Sequence, residues 1–308
     1  MTPIGFVILI NPFSPLSQTE RLIGTLNRMF DHPPIVCHHD FGKNPQLIES
    51  RSSNVQLVHP HVNTKWADFS CIEAAVKALN LLYSGDNPPK WFIYLSGSDF
   101  PIKPASQIMD DLDSTIFDAH IEHLLVHRRA IPHLPLKNRL IAHRGPDWPR
   151  AVNGRYQSVS MRIPWITRRF QFTMRTLQLQ HPFFTAGHLP FTREFNCFGG
   201  EAWFCANHRA AQAIIESYTT NAALVAHFRT VLCPEESYFH TVLGNASGLR
   251  LSQDPLRYMD WTVGGNHPKI LAVEDIPRLT DSNAHFARKF AHPLTPEVAE
   301  AQEELTSL

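Results

Sequence analysis

Ile4 to Ile10 is an unbroken apolar run, and Asn11-Pro12 ends it. A strand that is apolar at every position has to be covered on both faces, so the run predicts a central strand of a largely parallel sheet. A helical stretch near Gln18 to Met29 comes next. Pro34 to Cys37 reads as a second strand, leading into His38-His39-Asp40, and Val55 to Val58 as a third. Between Trp66 and Tyr83, Ile72, Ala75, Val76, Leu79 and Leu82 recur at helical spacing, and Ser70 with Glu73 has the form of a capping box. Trp91 to Leu95 is the next buried strand, and it runs straight into the polar turn Ser96-Gly97-Ser98-Asp99. This alternation predicts an α/β fold with a single mixed, largely parallel central sheet flanked by helices. Ligands of such sheets bind beyond the carboxyl ends of the strands, where Asp40 and Asp99 both fall.

The 308 residues, 43% of them hydrophobic, are enough to fill a core. Lys plus Arg equals Asp plus Glu at 28 each, so the overall charge gives no reason to expect a nucleic-acid partner. The N-terminal apolar run has no cationic lead and is too short to span a bilayer. Cys37, Cys71, Cys197, Cys205 and Cys233 are scattered, without CxxC or paired spacing. These features predict reduced cysteines and a cytoplasmic protein.

One segment departs from this neutrality. From Arg128 to Arg175, eleven Lys or Arg residues face one acid, Asp147. Its five prolines predict irregular loop before a helix near Trp165, where aromatic residues interleave with Arg168, Arg169 and Arg175. The mixture suits peripheral contact with an anionic inner membrane face, or with the diphosphate of a lipid-linked acceptor. A solvated loop whose arginines pair elsewhere is the competing reading. Beyond it, a strand near Phe198 to Cys205, a helix from Asn207 to Tyr218 and a helix starting at Pro234 are expected.

Several residues could carry chemistry. Glu235 and Glu236 follow Pro234, which is ordinary helix-start composition and also a way to keep a carboxylate ionised at neutral pH. Arg288 and Lys289 stand between Phe286 and Phe290, less solvated company than a surface dibasic pair usually keeps. Asp99 is either a turn residue or a ligand-facing carboxylate. The cluster Cys37 to Asp40 with His59 and His61 matches no zinc spacing, so no metal site is assigned.

Four segments together, Phe92 to Pro104, Gly199 to Arg209, Pro234 to Asn245 and His285 to Phe290, resemble in order and spacing the core-2/I-branching N-acetylglucosaminyltransferase and peptide xylosyltransferase family. Leu256 to Trp261 and the helix opened by Trp66 match in position, so the likeness spans roughly residues 4 to 290. The resemblance implies a GT-A-type domain over residues 1–294, with the 126–175 segment on its acceptor side and an acidic tail at 295–308. It implies inverting, metal-independent transfer from a UDP-sugar carrying xylose, N-acetylglucosamine or glucuronic acid to a hydroxyl of a glycan or lipid-linked acceptor. By the same resemblance Glu236 is the general base, and Arg288 with Lys289 holds the diphosphate. Asp99 is assigned to sugar or ribose hydroxyls, Asp40 to the nucleoside, and Trp203, Glu201 and Trp66 to the substrate. Where the family pattern carries Ser then Asp, this chain has Glu201 then Ala202. If that stretch is a strand, the shift moves the carboxylate to the other face. A non-catalytic nucleotide-sugar or glycan-binding module on the same fold is the alternative, and a hydrolase is disfavoured because adjacent acids do not flank a glycosidic bond.

Overall fold

The structure, a computed structural model, describes residues 2–46, 52–125, 127–130, 140–144, 177–179, 190–192, 194–229, 233–263 and 267–307. Of residue 2 and of 127–130, 140–144 and 177–179 it describes the backbone alone. β1 (Thr2–Leu9) leads through α1 (Leu16–Phe30) to β2 (Ile35–His38) and β3 (Val55–Leu57). α2 (Ser70–Tyr83), β4 (Pro89–Ser96), β5 (Phe100–Pro101) and α3 (Ala105–Ser114) follow, then β6 (Ala119–His120) and β7 (Leu124–Leu125). β8 (His127–Ala130), β9 (Leu140–Arg144) and β10 (Leu177–Leu179) make a three-stranded antiparallel sheet. β11 (Phe198–Gly199), β12 (Cys205–Asn207), α4 (His208–Thr220) and α5 (Ala222–Phe228) come next. A 3₁₀ turn at Pro234–Glu236 then precedes α6 (Tyr238–Asn245), β13 (Leu251–Ser252) and β14 (Arg257–Met259). α7 (Ile276–Asp281), β15 (Phe286–Arg288) and α8 (Pro296–Ser307) close the chain.

The main sheet has seven strands in the order β13-β6-β12-β4-β1-β2-β3. β4, β1, β2 and β3 run parallel, and β12 is antiparallel to both of its neighbours. β1 therefore lies inside the sheet, as its unbroken apolar run demands. Its side chains alternate between two cores, as strand geometry requires. Phe6 and Ile8 meet Leu22, Ile23 and Leu26 of α1 and Ile108 and Leu112 of α3. Val7 joins Ile72 and Leu79 of α2, Ala210 and Ile214 of α4, and Val242 of α6 on the other face. Each large apolar side chain sealed this way contributes about 1.5–3 kcal/mol. A smaller sheet, β14-β15-β5, carries a third cluster in which Phe100, Ala287, Leu271, Phe290 and Val298 pack together.

Three local expectations need correction. Ser70 and Glu73 form no capping box: Phe69 is the N-cap, and both the backbone N–H and the hydroxyl of Ser70 donate to Asp68, at 3.0 and 2.6 Å. Phe198 to Cys205 is not one strand, because β11 ends at Gly199 and β12 begins at Cys205 on a different sheet. The proposed face switch at Glu201 therefore does not apply. The helix expected from Pro234 begins at Tyr238, after the 3₁₀ turn. The acidic stretch at the C-terminus is helix α8, with Val298 and Gln302 buried and Arg21 donating to Gln302 at 2.5 Å. The expected helix near Trp165, and the side chains of the 126–175 basic segment, lie outside the described residues. Among the described residues no helix is long and apolar enough to cross a membrane.

Candidate functional site

Parallel strands bring the turns after β1, β2 and β4 to one edge of the sheet. The N–H of Ile10 donates to the His38 carbonyl at 3.0 Å, and that of Gly97 to Leu9 at 3.3 Å. Gly97 is needed there because a Cβ would stand 2.2 Å from the Thr19 hydroxyl oxygen. The turn folds Asp99 back onto Ser96, whose N–H and hydroxyl donate to its carboxylate at 2.8 and 3.0 Å. Arg288, at the end of β15, completes the carboxylate's shell with an ion pair at 3.2 Å. The Asp99 side chain is fully buried. Its carboxylate accepts both Ser96 bonds and pairs with Arg288.

Arg288 also lies 4.5 Å from the centre of the Trp203 ring, which packs against Tyr94 at 4.8 Å. Stacking on an aromatic face and pairing with a carboxylate fix a planar guanidinium in one orientation. Trp203 serves first as the platform for Arg288. Burial lowers the basicity of Arg288, while Asp99 and Tyr94 oppose that loss. Burial and the neighbouring Arg288 lower that of Lys289, against the pull of Asp99. The Lys289 backbone is tied down by the N–H of Leu271, which donates to its carbonyl at 2.7 Å. His267 lies within electrostatic reach of both cations.

Glu236 is placed by its backbone. Gly200 donates its N–H to the Glu236 carbonyl at 3.0 Å, and Cys233 accepts from the N–H of Glu236 at 3.1 Å. The stretch 196–201 runs along α6 and is tied to it repeatedly. Asn245 exchanges bonds with Asn196 at 2.8 and 2.7 Å, and Ser237 and Thr241 donate to the Phe198 carbonyl at 2.7 and 3.2 Å. The Glu201 carbonyl accepts from the Nε2 of buried His240 at 2.8 Å, which defines that ring's tautomer, and burial pushes its pKa down to about 3. The N–H of Glu201 donates to the Glu122 carboxylate at 3.0 Å. A Cβ on Gly200 would stand 2.3 Å from the Glu122 carbonyl oxygen, so only glycine allows this approach. Cys233 and Ala67 both adopt left-handed backbone, at φ 52° and 57°, and the N–H of Cys233 donates to the Ala67 carbonyl at 3.0 Å. Non-glycine residues in that region store about 1 kcal/mol or more of strain and gather at functional sites. One of this pair precedes the turn that carries Glu236. The other follows Trp66, which is 69% exposed.

Asp40 stands apart from these contacts, on the same edge. Its carboxylate is buried and accepts from the N–H and hydroxyl of Thr64 at 2.8 and 3.0 Å, with Lys43 at 3.6 Å. Burial pushes its pKa up, but the Thr64 bonds and Lys43 outweigh that and hold it below the ordinary value. Both Thr64 bonds fall on Oδ2, while Oδ1, 3.8 Å from His61 Nε2, is buried without a hydrogen-bond partner. The neighbouring histidines spend ring nitrogens on the backbone: His38 and His61 accept from the N–H of Val62 and Gly42, and His39 donates to the Asn44 carbonyl. Among the described residues no group of three His, Cys, Asp or Glu side chains has the geometry to hold a metal ion.

The structure thus joins Asp99, Arg288 and Trp203 by direct contact, and Glu236, Glu201 and Trp66 through one backbone network. Tyr94, Glu122, His240 and Arg257 were not singled out from the sequence. Tyr94 and Arg257 sit in strand segments whose partners are far away in the chain, and Glu122 and His240 act on backbone groups that no spacing reveals.

The model of the Core-2/I-Branching enzyme family matches residues 26–144 and 147–280, and the chain belongs to that family. It is similar to the Beta-glucuronosyltransferase GlcAT14A of Arabidopsis thaliana, 25% identical over 265 residues that cover 82% of this chain and 51% of the relative. It is similar as well to GlcAT14B of the same plant, 28% identical over 206 residues, 65% of this chain and 40% of the relative. The chain spans about half the length of the curated relatives it matches.

Proposed function

We propose that this chain is an inverting GT-A-type glycosyltransferase that moves a sugar from a UDP-sugar to a hydroxyl of a glycan or lipid-linked glycoconjugate, without a divalent metal. The observation that carries the reading is the buried Asp99–Arg288 pair stacked on half-buried Trp203 beside Lys289, at the carboxyl edge of the sheet in a chain of this family. In the proposed reaction Glu236 takes the acceptor hydroxyl proton as the oxygen attacks the anomeric carbon. The bond from that carbon to the UDP oxygen breaks, and the diphosphate leaves with the electron pair. Arg288 and Lys289 face the charge that grows on the leaving group, the electrostatic task that metal ions perform in related chemistry. Fixed cations in a dry site serve that task well, because they need no reorganisation as the reaction proceeds.

UDP-glucuronic acid is the first donor to test, because both relatives are named as glucuronosyltransferases. UDP-xylose and UDP-N-acetylglucosamine come next. A cytoplasmic protein whose basic 126–175 segment touches an anionic membrane surface belongs to the same proposal, and flotation with anionic and neutral vesicles tests it. The decisive experiment for function is UDP release from the donor panel with and without acceptor, in chelator. Acceptor-dependent release in EDTA supports the reading. UDP binding without release from any donor would favour a binding module, and activity restored only by Mn²⁺ would end the claim of metal independence.

A further inference from the structure

Thr64 pins the Asp40 carboxylate through Oδ2, so Oδ1 cannot turn away to find the hydrogen bond it lacks. A buried carboxylate oxygen without a partner is costly, and each such group calls for an explanation. Facing it at 3.8 Å is Nε2 of His61, and that nitrogen is already in use as an acceptor, because the Gly42 N–H donates to it at 3.2 Å. The neutral ring therefore carries its proton on Nδ1. Gly42 puts its backbone directly against both groups: a Cβ there would stand 2.8 Å from Asn63 Oδ1, 3.3 Å from Asp40 Oδ1 and 3.5 Å from His61 Nε2. The same turn is closed by the N–H groups of Lys43 and Asn44, which donate to the Asp40 carbonyl at 3.1 and 3.0 Å.

A proton on Nε2 reverses this arrangement. The nitrogen can then no longer accept from Gly42, and its N–H faces the oxygen that lacks a partner. Histidine is the side chain that changes charge between about pH 5 and 8. Asp40 stays ionised there: burial raises its pKa, but the Thr64 bonds, Lys43 and the Gly42 N–H outweigh that. The other titratable or charged groups around the ring are engaged elsewhere. On β2, His38 accepts from the Val62 N–H at 2.9 Å and burial pushes its pKa down to about 4, while His39 donates to the Asn44 carbonyl. His59 stacks on Phe41, which packs at a steep angle to His61. Lys43 donates to the Thr64 carbonyl, and Lys77 of α2 to the Pro60 carbonyl at 3.5 Å. Asp40 is thus the anion that a protonated His61 meets.

We propose that His61 is a proton-operated latch on the turn after β2. Neutral, it holds the turn through Gly42 and leaves Oδ1 of Asp40 unpaired. Protonated, it pairs with Oδ1 and releases the Gly42 N–H. The turn stands at the carboxyl edge of the sheet, so acid loosens the edge that receives the donor, a consequence that rests on the reading of this edge as the UDP-sugar site.

The test is a titration of the full chain from about pH 8 to about pH 5, followed by NMR of the backbone amides and histidine rings, with calorimetric UDP titrations at both ends. It uses the wild type, His61→Gln and the control His59→Gln. At the high end the His61 ring should carry its proton on Nδ1, with Nε2 bare. On acidification the Gly42 amide should shift together with the His61 ring, in wild type and His59→Gln alike. His61→Gln offers an amide oxygen that accepts from Gly42 at every pH, so its Gly42 amide should stay in place. UDP affinity should fall about two- to tenfold more in wild type than in His61→Gln, the worth of one hydrogen bond. That comparison cancels the ionisation of the UDP phosphate itself. A proton on Nε2 at the high end, a Gly42 amide that does not follow the His61 ring, or equal pH responses of UDP affinity in wild type and His61→Gln would overturn the inference. The first two are read from the wild type alone, so they decide even if His61→Gln fails to fold. If the wild type binds UDP at neither pH, the reading of the edge fails, while the amide titration still decides the latch.

Discussion

Arg288 and Glu236 are held in place by opposite means. Side chains grip Arg288: a carboxylate on its Nε, an indole under its plane and a buried tyrosine behind that indole. Backbone bonds grip Glu236, through Gly200, Cys233 and a strand segment laced to α6. The cation side should therefore answer to charge, salt and pH. The Glu236 side should answer to glycine and turn geometry. Each part of the site can be perturbed without the other, and that separation is open to experiment.

The largest effect is expected from Glu236→Gln. Losing a general base costs about 10²–10⁴-fold in kcat, and a turn held by backbone bonds keeps its shape under this change. Initial rates on the best donor measure it, and a variant turning over near the wild-type rate would remove Glu236 from the role. Arg288→Ala comes second, at about 10²–10³-fold in kcat with weaker UDP binding, because it removes charge from both the bound and the leaving diphosphate. A purely lower kcat with unchanged UDP affinity would place Arg288 elsewhere.

Gly200→Ala probes the other side. A methyl group 2.3 Å from the Glu122 carbonyl oxygen must displace backbone. Overpacking of this kind costs about 1–3 kcal/mol of stability, and thermal melts would show it. Turnover should fall while UDP affinity holds. Equal stability and activity would mean that the Gly200–Glu236 contact is not what sets the base.

The smallest effect is a pH dependence. Burial and Arg288 lower the basicity of Lys289, so raising pH neutralises it sooner than an ordinary lysine of pKa 10.5. UDP affinity should therefore decline by a few fold as pH rises from neutrality toward that value, and the decline should vanish in Lys289→Arg. An unchanged pH profile in that variant would assign the dependence to another group.

The sequence made the cation side more legible than the base side. The apolar run of β1 and the helical spacing of α2 predicted the sheet and its flanking layers, since burial on both faces leaves few other arrangements. Asp99 and Arg288 were visible as chemistry-bearing residues, but not as partners, because 189 positions separate them, and β15 pairing with β5 and the Phe290 N–H donating to the Ser98 carbonyl bring them together. That hidden contact ties Asp99 to Arg288, next to its bonds from Ser96. The failed capping box at Ser70 has a similar cause: Asp68, two residues earlier, is the better acceptor for the same groups. On the base side, the strand predicted through Glu201 breaks where Glu122 and His240 claim its backbone, and no residue spacing records such bonds.

UDP titration into wild type, Glu236→Gln and Arg288→Ala, all in chelator, tests the separation most directly. The account predicts the wild-type Kd in Glu236→Gln, which should nevertheless be inactive, and a Kd raised at least about tenfold in Arg288→Ala. A comparable loss of UDP affinity in both variants would show that the two sides are one coupled unit, and would contradict the account.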